Sequence, residues 1–192
     1  MKKITCLSII LLSLILCSPV NAQKLKSFAT KGVWELGGTI FYSSSTPVQN
    51  GTTGTATTTF QFQPVAGYFV ANSIEIGLQP SFTSQSSAGF TVTNTGIYLA
   101  PAYNFILNNK IYPAVVALVG FTSTSFSSTG FPSYSASGFS WGGEAGVKMN
   151  LLGNSLLFVG LQYLQVTNNP SGSLNRSGQN VVTFGAGWNV FF

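Results

Sequence analysis

Asn180–Phe192 reads N-V-V-T-F-G-A-G-W-N-V-F-F, and the fold turns on it. Counting back by twos from the last residue gives Phe192, Val190, Trp188, Ala186, Phe184 and Val182, all apolar or aromatic. Between them stand Phe191, Asn189, Gly187, Gly185, Thr183 and Val181, mostly small or polar. A period of two is a strand with unlike faces. The bulky face here is the apolar one, whereas a water-soluble barrel points its large side chains inward. An oily outer face backed by a small, polar inner one fits a barrel strand set in lipid. The last strand of a soluble sandwich is the competing reading, since alternation does not say which face is wet.

Seven upstream segments repeat the pattern. Val33–Tyr42 sets Trp34, Leu36, Gly38, Ile40 and Tyr42 against Glu35, Gly37, Thr39 and Phe41. Thr57–Val70 sets Phe60, Phe62, Pro64, Ala66, Tyr68 and Val70 against Gln61, Gln63, Val65, Gly67 and Phe69. Ser73–Thr83 sets Ile74, Ile76, Leu78 and Phe82 against Glu75, Gly77 and Gln79. Thr91–Phe105 turns Ile97, Leu99, Tyr103 and Phe105 outward, and Ile111–Ser125 is the least clear because Ala114–Val119 is apolar on both faces. Ser137–Asn150 sets Phe139, Trp141 and Val147 against Glu144 and Lys148, and Ser155–Thr167 sets Leu157, Val159, Leu161 and Tyr163 against Phe158, Gly160, Gln162 and Leu164. Three connections are short, near Asn72, Asn108 and Gly153; four are longer, at Ser43–Ala56, Ser84–Phe90, Phe126–Ala136 and Asn168–Gln179. Short turns on one side and long loops on the other are what transmembrane barrels show. Closure follows from physics, because an open sheet edge in lipid leaves amides without partners. The expected fold is an all-β, eight-stranded antiparallel up-and-down transmembrane β-barrel with both termini in the periplasm. Pro64, Pro80, Pro101 and Pro113 count against it, since each removes a ladder donor from a sheet with no free edge. Bulges or strand ends are the expected places for them.

The first 22 residues stand apart. Lys2 and Lys3, the apolar run Ile4–Leu16 and the small residues Val20-Asn21-Ala22 form a secretory signal peptide, expected to be cleaved before Gln23. Residues 23–32 are then a periplasmic N-terminal segment and 33–192 one barrel domain. Cys6 and Cys17 leave with the signal, so the exported chain is no disulfide scaffold. Charged residues make up 6%, where globular proteins carry about a quarter. Removing Lys2 and Lys3 from eight basic residues leaves six against Glu35, Glu75 and Glu144, a charge of +3 too dilute for a nucleic-acid surface.

Chemistry is narrowed by what is missing. The 192 residues include no His and no Asp, so a Ser-His-Asp triad cannot form. Without His or a mature Cys, the usual zinc and transition-metal ligands are absent, and calcium would have only three scattered glutamates. No glycine-rich phosphate loop opens a helix. A barrel enzyme acting on lipid acyl chains would need the same missing His and Asp. The expectation is a non-catalytic protein with no cofactor, no metal and no nucleic-acid partner.

Two stretches carry a family resemblance. Pro64-Val65-Ala66-Gly67-Tyr68-Phe69-Val70, a two-residue turn and Ile74-Glu75-Ile76-Gly77 resemble the second hairpin of the small outer membrane protein beta-barrel domain family, eight-stranded relatives of the OmpA transmembrane domain and OmpX. Gly143-Glu144-Ala145-Gly146-Val147-Lys148 resembles that family's sixth strand, and the terminal aromatic resembles its assembly signal. One departure is Asn72, where the family usually has Asp. The resemblance implies a bacterial outer-membrane location, contact with membrane lipid, and recognition of Phe184, Trp188, Val190 and Phe192 by the barrel assembly machinery.

Three groups of residues are singled out. Glu35, Glu75, Glu144 and Lys148 fall on inward parity, because a lipid-facing lysine costs about 2–4 kcal/mol near the midplane. With Gln61, Gln79 and Gln162 they are expected to form an interior polar network; lining a narrow solute path is the alternative. Trp34, Tyr42, Tyr68 and Phe105 are expected as an interface girdle, with simple lipid contact as the alternative. The Ser/Thr/Asn-rich outer loops, with Phe126, Phe131, Tyr134 and Arg176, suit a surface ligand or plain solvent. The expected function is structural or adhesion-type, by a monomer; the alternatives are a narrow porin-like channel for small or apolar solutes and a soluble lipocalin-like carrier.

Overall fold

The computed structural model describes residues 27–45, 48–49, 52–53, 55, 57–87, 89–128, 131–170 and 177–192. Its barrel strands are β1 (Trp34–Ser45), β2 (Thr57–Ala71), β3 (Ile74–Ser87), β4 (Phe90–Asn104), β5 (Ile111–Ser128), β6 (Phe131–Leu152), β7 (Ser155–Pro170) and β8 (Ser177–Phe191). Neighbours in sequence pair antiparallel, and β8 returns to β1 to close the cylinder. A separate two-residue ribbon joins Val48–Gln49 to Thr52–Thr53 in the first outer connection.

The wall obeys the alternation. Ile76, Leu78, Phe82, Ile97, Leu99, Leu161, Phe184 and Trp188 are exposed on the outer surface. Glu75, Gln79, Tyr98, Gln162 and Asn189 are buried within. The ambiguous β5 resolves the same way: Val115, Val119 and Phe121 face out, while Tyr112, Ala114 and Leu118 fill the interior. Both its faces are apolar because Leu118 joins Tyr98, Ala100, Leu164 and Val166 in an inner apolar cluster.

Two expected loops are mostly strand. Ser84–Ser87 continues β3, Phe126–Ser128 continues β5, and Phe131–Ala136 belongs to β6. Ser84–Ser87 has no apolar face for alternation to reveal, and in Phe126–Ala136 the aromatic positions Phe131 and Tyr134 fall on opposite parities. Their backbones stay in register, as Ser86 does against Thr91 and Ser125 against Ser135. On the other side the turns are tight. Asn108 Oδ1 accepts from the amides of Lys110 and Ile111 at 2.8 and 2.9 Å, and Gly153 turns at φ +56°. The expected signal peptide, residues 1–22, and Arg176 lie outside the described residues.

The prolines sit neither on bulges nor, with one exception, at strand ends. Pro64 is laddered to Gly38 on β1 and Pro80 to Ile97 on β4, so their nitrogens face each other across β2–β3. Pairing there runs to Phe62↔Phe82 and resumes at Ala66↔Leu78 in the same register, the two missing donors having opened one gap. Pro101, laddered to Ile76, interrupts β4–β5 between Leu99↔Val119 and Ala102↔Val116. Pro113 lies at an end, where its carbonyl accepts from Phe105 N at 2.7 Å. The register shifts fall elsewhere, at Phe69/Ala71, Phe126/Ser128 and Asn150/Leu152.

Residues before β1 are part of the packing. Ser27–Val33 folds across the mouth at the end holding the short turns. Gly32 N donates to Phe69 O at 2.8 Å, Phe69 N to Val33 O at 2.9 Å, and Ser73 N to Ala29 O at 2.8 Å. Phe28 thereby enters the barrel and is 1% exposed.

Candidate functional site: the barrel interior

The interior is stacked in layers. Lowest is an aromatic cork, in which Phe28 meets Phe69, Tyr112 and Phe191 at ring-centroid distances of 5.1, 4.8 and 5.3 Å. Leu156, Ala29 and Val33 complete the cluster.

Above it lies an ionic layer. Lys148 Nζ donates to Glu35 Oε2 at 2.6 Å and to Glu75 Oε2 at 3.2 Å, and stands 5.2 Å over the Phe28 ring. Asn189 Nδ2 donates to Glu35 Oε1 at 2.6 Å, and Asn104 Nδ2 to Glu75 Oε2 at 3.1 Å. Strands β1, β3, β4, β6 and β8 each supply one member, so the cluster ties the cylinder across its diameter. Gly67 leaves the room: a Cβ there would stand 1.8 Å from Glu75 Oε1. A void of about 30 Å³, lined by Glu35, Thr39, Glu75, Glu144 and Lys148, remains beside the cluster.

A glutamine layer follows. Gln162 Nε2 donates to Gln63 Oε1 at 2.8 Å, and Gln63 Nε2 returns to Gln162 Oε1 at 3.1 Å. Gln61 Nε2 reaches the same Gln162 oxygen at 3.4 Å. Glu144 Oε2 accepts from Gln162 at 3.2 Å and from Gln79 at 3.5 Å. Gln63 also donates to Ser81 Oγ at 3.3 Å and accepts from Gln79 at 3.3 Å. Those last two bonds cross β2–β3 where Pro64 and Pro80 interrupt the ladder, so side chains bridge the seam the backbone leaves open.

Beyond the glutamines the bore widens into a cup of about 60 Å³ at the outer end, lined by Thr59, Thr83, Asn94, Tyr98, Leu164 and Thr183 among others. Thr122 and Ser140 hydroxyls meet beside it at 2.7 Å.

Glu35, Glu75 and Lys148 thus meet in one layer, while Glu144, Gln61, Gln79 and Gln162 meet in the next. Gln63, Asn104 and Asn189 complete these layers and stand on inward parity, a signal that could have found them. Phe28 carried no such signal, because nothing in an isolated Phe before the first strand says that it turns inward. Trp34 and Tyr68 face each other across β1–β2 with rings 4.9 Å apart, near the cork end, and Phe105 follows β4 there, 4.7 Å from the Tyr103 ring. Tyr42 lies nearer the outer end of β1, opposite Phe60. Phe184, Trp188 and Phe192 are exposed on the lipid face, with Val190 between the last two, while Phe191 turns inward. Among the described residues, no three acidic side chains converge to hold a metal ion.

An apolar belt outside a closed cylinder with a polar, side-chain-filled bore defines an integral membrane β-barrel. The outer membrane protein beta-barrel domain family model matches residues 8–191, and the chain belongs to that family. It is accordingly a protein of the bacterial outer membrane, in contact with membrane lipid. The fold is similar to the crystal structure of Neisserial surface protein A, at 17% identity and TM-score 0.57, covering 84% of this chain and 98% of that one. OprG from Pseudomonas aeruginosa aligns at 15% identity and TM-score 0.49, covering 85% and 97% of the two chains. Ail, the attachment invasion locus protein of Yersinia pestis, aligns at 17% identity and TM-score 0.46, covering 85% and 100%. No curated protein matches the sequence.

Proposed function

We propose that this outer-membrane barrel is a non-catalytic, structural and surface-contact protein that works through its outer end. The observation that carries the reading is the stacked obstruction of the bore. A solute entering from outside meets the glutamine layer, then Lys148 clamped between Glu35 and Glu75, then the Phe28 cork. Each lies within a different stretch of the same narrow cylinder, and eight strands leave room for little more than side chains. The outer end is rich in hydroxyl and amide groups, suited to many weak contacts with a neighbouring surface. Trp34, Tyr68 and Phe105 set the depth of the barrel in the membrane, and Phe192 with Phe184, Trp188 and Val190 is read by the assembly machinery. The working unit is a monomer.

Planar-bilayer recording and cell-surface binding test this reading together. Purified barrel should give no steady single-channel conductance, while bacteria displaying it should bind host-cell or matrix surfaces more than barrel-free bacteria do. Sustained conductance from the wild-type protein would overturn the reading in favour of a passive channel.

A further inference from the structure

We propose that the outer cup is a binding site for a neutral, hydroxyl-rich ring, a single sugar unit, presented from outside the cell. The inference rests on the surface-contact reading and names its ligand class. Four observations support it. First, the cup has a floor: the Gln61–Gln63–Gln162 amide layer closes it below, so a ligand stops there rather than passing through. Second, among the described residues its lining is uncharged, with hydroxyls and amides from Thr59, Thr83, Gln85, Asn94 and Tyr98 on β2, β3 and β4. Such a lining offers nothing to neutralise a sulfated or carboxylated ligand. Third, the opposite wall is aliphatic, made by Leu164 and Val166 of β7 and Val181 of β8. A sugar ring has this same division, hydroxyls at its rim and C–H groups on its face.

Fourth, Thr183 lines the cup, and its hydroxyl, just beneath the lining, has no hydrogen-bond partner among the described residues, so that a turn of the side chain would present it to a ligand. An unpaired buried polar group costs free energy until something pairs with it. Thr183 stands where β8 has passed its last recorded pair with β1, Ile40↔Ala186. Its side chain is therefore set beside the least stitched part of the wall. The cup volume of about 60 Å³ corresponds to roughly four to six water positions. One ring displaces about that much water; a longer glycan would leave its remaining units outside the barrel.

Saturation-transfer NMR on the full barrel in lipid nanodiscs free of sugar detergents tests the site. The probes are D-glucose, D-galactose and N-acetyl-D-glucosamine, with D-glucuronate as the charged comparison. At least one neutral sugar should receive saturation on its ring protons and glucuronate clearly less. Thr183→Val, which keeps the shape and loses the hydroxyl, should weaken the response about 2- to 10-fold, the effect of one hydrogen bond. Thr83→Trp, which fills the cup, should abolish it, with heat-dependent gel mobility verifying a folded barrel in both variants. Absence of transfer from every neutral sugar, or an unchanged response in Thr183→Val, overturns the site. Surface binding by displaying cells that persists in Thr83→Trp also overturns it while leaving the surface-contact reading intact. Loss of surface binding in the wild type would remove that reading itself.

Discussion

Replacing Lys148 with Met should be among the most damaging single changes in the barrel. The ammonium is the shared partner of Glu35 and Glu75, 2.6 and 3.2 Å away, and both carboxylates are at most 3% exposed. Met preserves the volume of the stem and removes the charge, leaving two buried carboxylates facing each other. Their remaining donors, Asn189 on Glu35 and Asn104 on Glu75, are neutral amides that do not offset the repulsion. Breaking a buried pair on one side costs about 3–5 kcal/mol. With a urea slope of about 2 kcal/mol per M, the unfolding midpoint should fall by roughly 1.5–2.5 M. The assay is equilibrium urea unfolding in lipid vesicles, followed by tryptophan fluorescence and by gel mobility without heating. The control is the triple variant Lys148→Met, Glu35→Gln, Glu75→Gln, which should recover most of the loss because no uncompensated charge remains. A single variant within about 0.5 kcal/mol of wild type, or a triple variant no better than the single, would refute the account of a tightly coupled ionic layer.

Other expectations follow from the neighbouring layers. Glu144→Leu leaves Gln79 and Gln162 each short of one acceptor, and should lower the urea midpoint by the equivalent of about 1–3 kcal/mol, less than Lys148→Met. Pro64→Ala returns a backbone donor opposite the Pro80 carbonyl and should raise stability by about 0.5–1.5 kcal/mol; a drop in the midpoint would show that the seam depends on the proline ring. Phe28→Ala removes the centre of the aromatic cork and should cost about 3–5 kcal/mol, with vesicle-efflux assays showing whether the ionic layer still seals the bore. Deleting Phe192 should slow membrane insertion in cells while leaving refolding into detergent nearly unchanged, read by pulse-labelling and gel mobility.

The fold was legible because lipid outside and polar groups inside impose opposite demands on alternate residues, and most of the strands record them. The β8 pattern from Val182 to Phe192 and the inward parity of Glu35, Glu75 and Lys148 follow from one period. Strand ends were harder to read. Past the hydrocarbon, Ser84–Ser87 and Ser135–Ala136 keep their ladder bonds but no longer need a greasy face, so alternation fades before the strand does. Ala114–Val119 was obscure for the opposite reason, since an apolar patch inside the barrel mimics the lipid face outside. Residue parity also could not say that Pro64 and Pro80 fall opposite each other. That depends on the β2–β3 register, which no single strand contains. Phe28 was least legible, because its position follows from a chain reversal that joins Ala29 to Ser73 and Gly32 to Phe69.

The seat occupied by Phe28 has one further consequence. Its walls come from Phe69 on β2, Tyr112 on β5, Leu156 on β7 and Phe191 on β8, positions spread around the circumference. Leu156 and Phe191 already neighbour each other on the paired β7 and β8, but Phe69 on β2 joins them only when the last strand has zipped to the first. The complete seat therefore exists only in a finished cylinder, and full burial of the ring is expected to report completion during biogenesis. A probe that senses Phe28 burial would time the closing of the wall separately from insertion into the membrane.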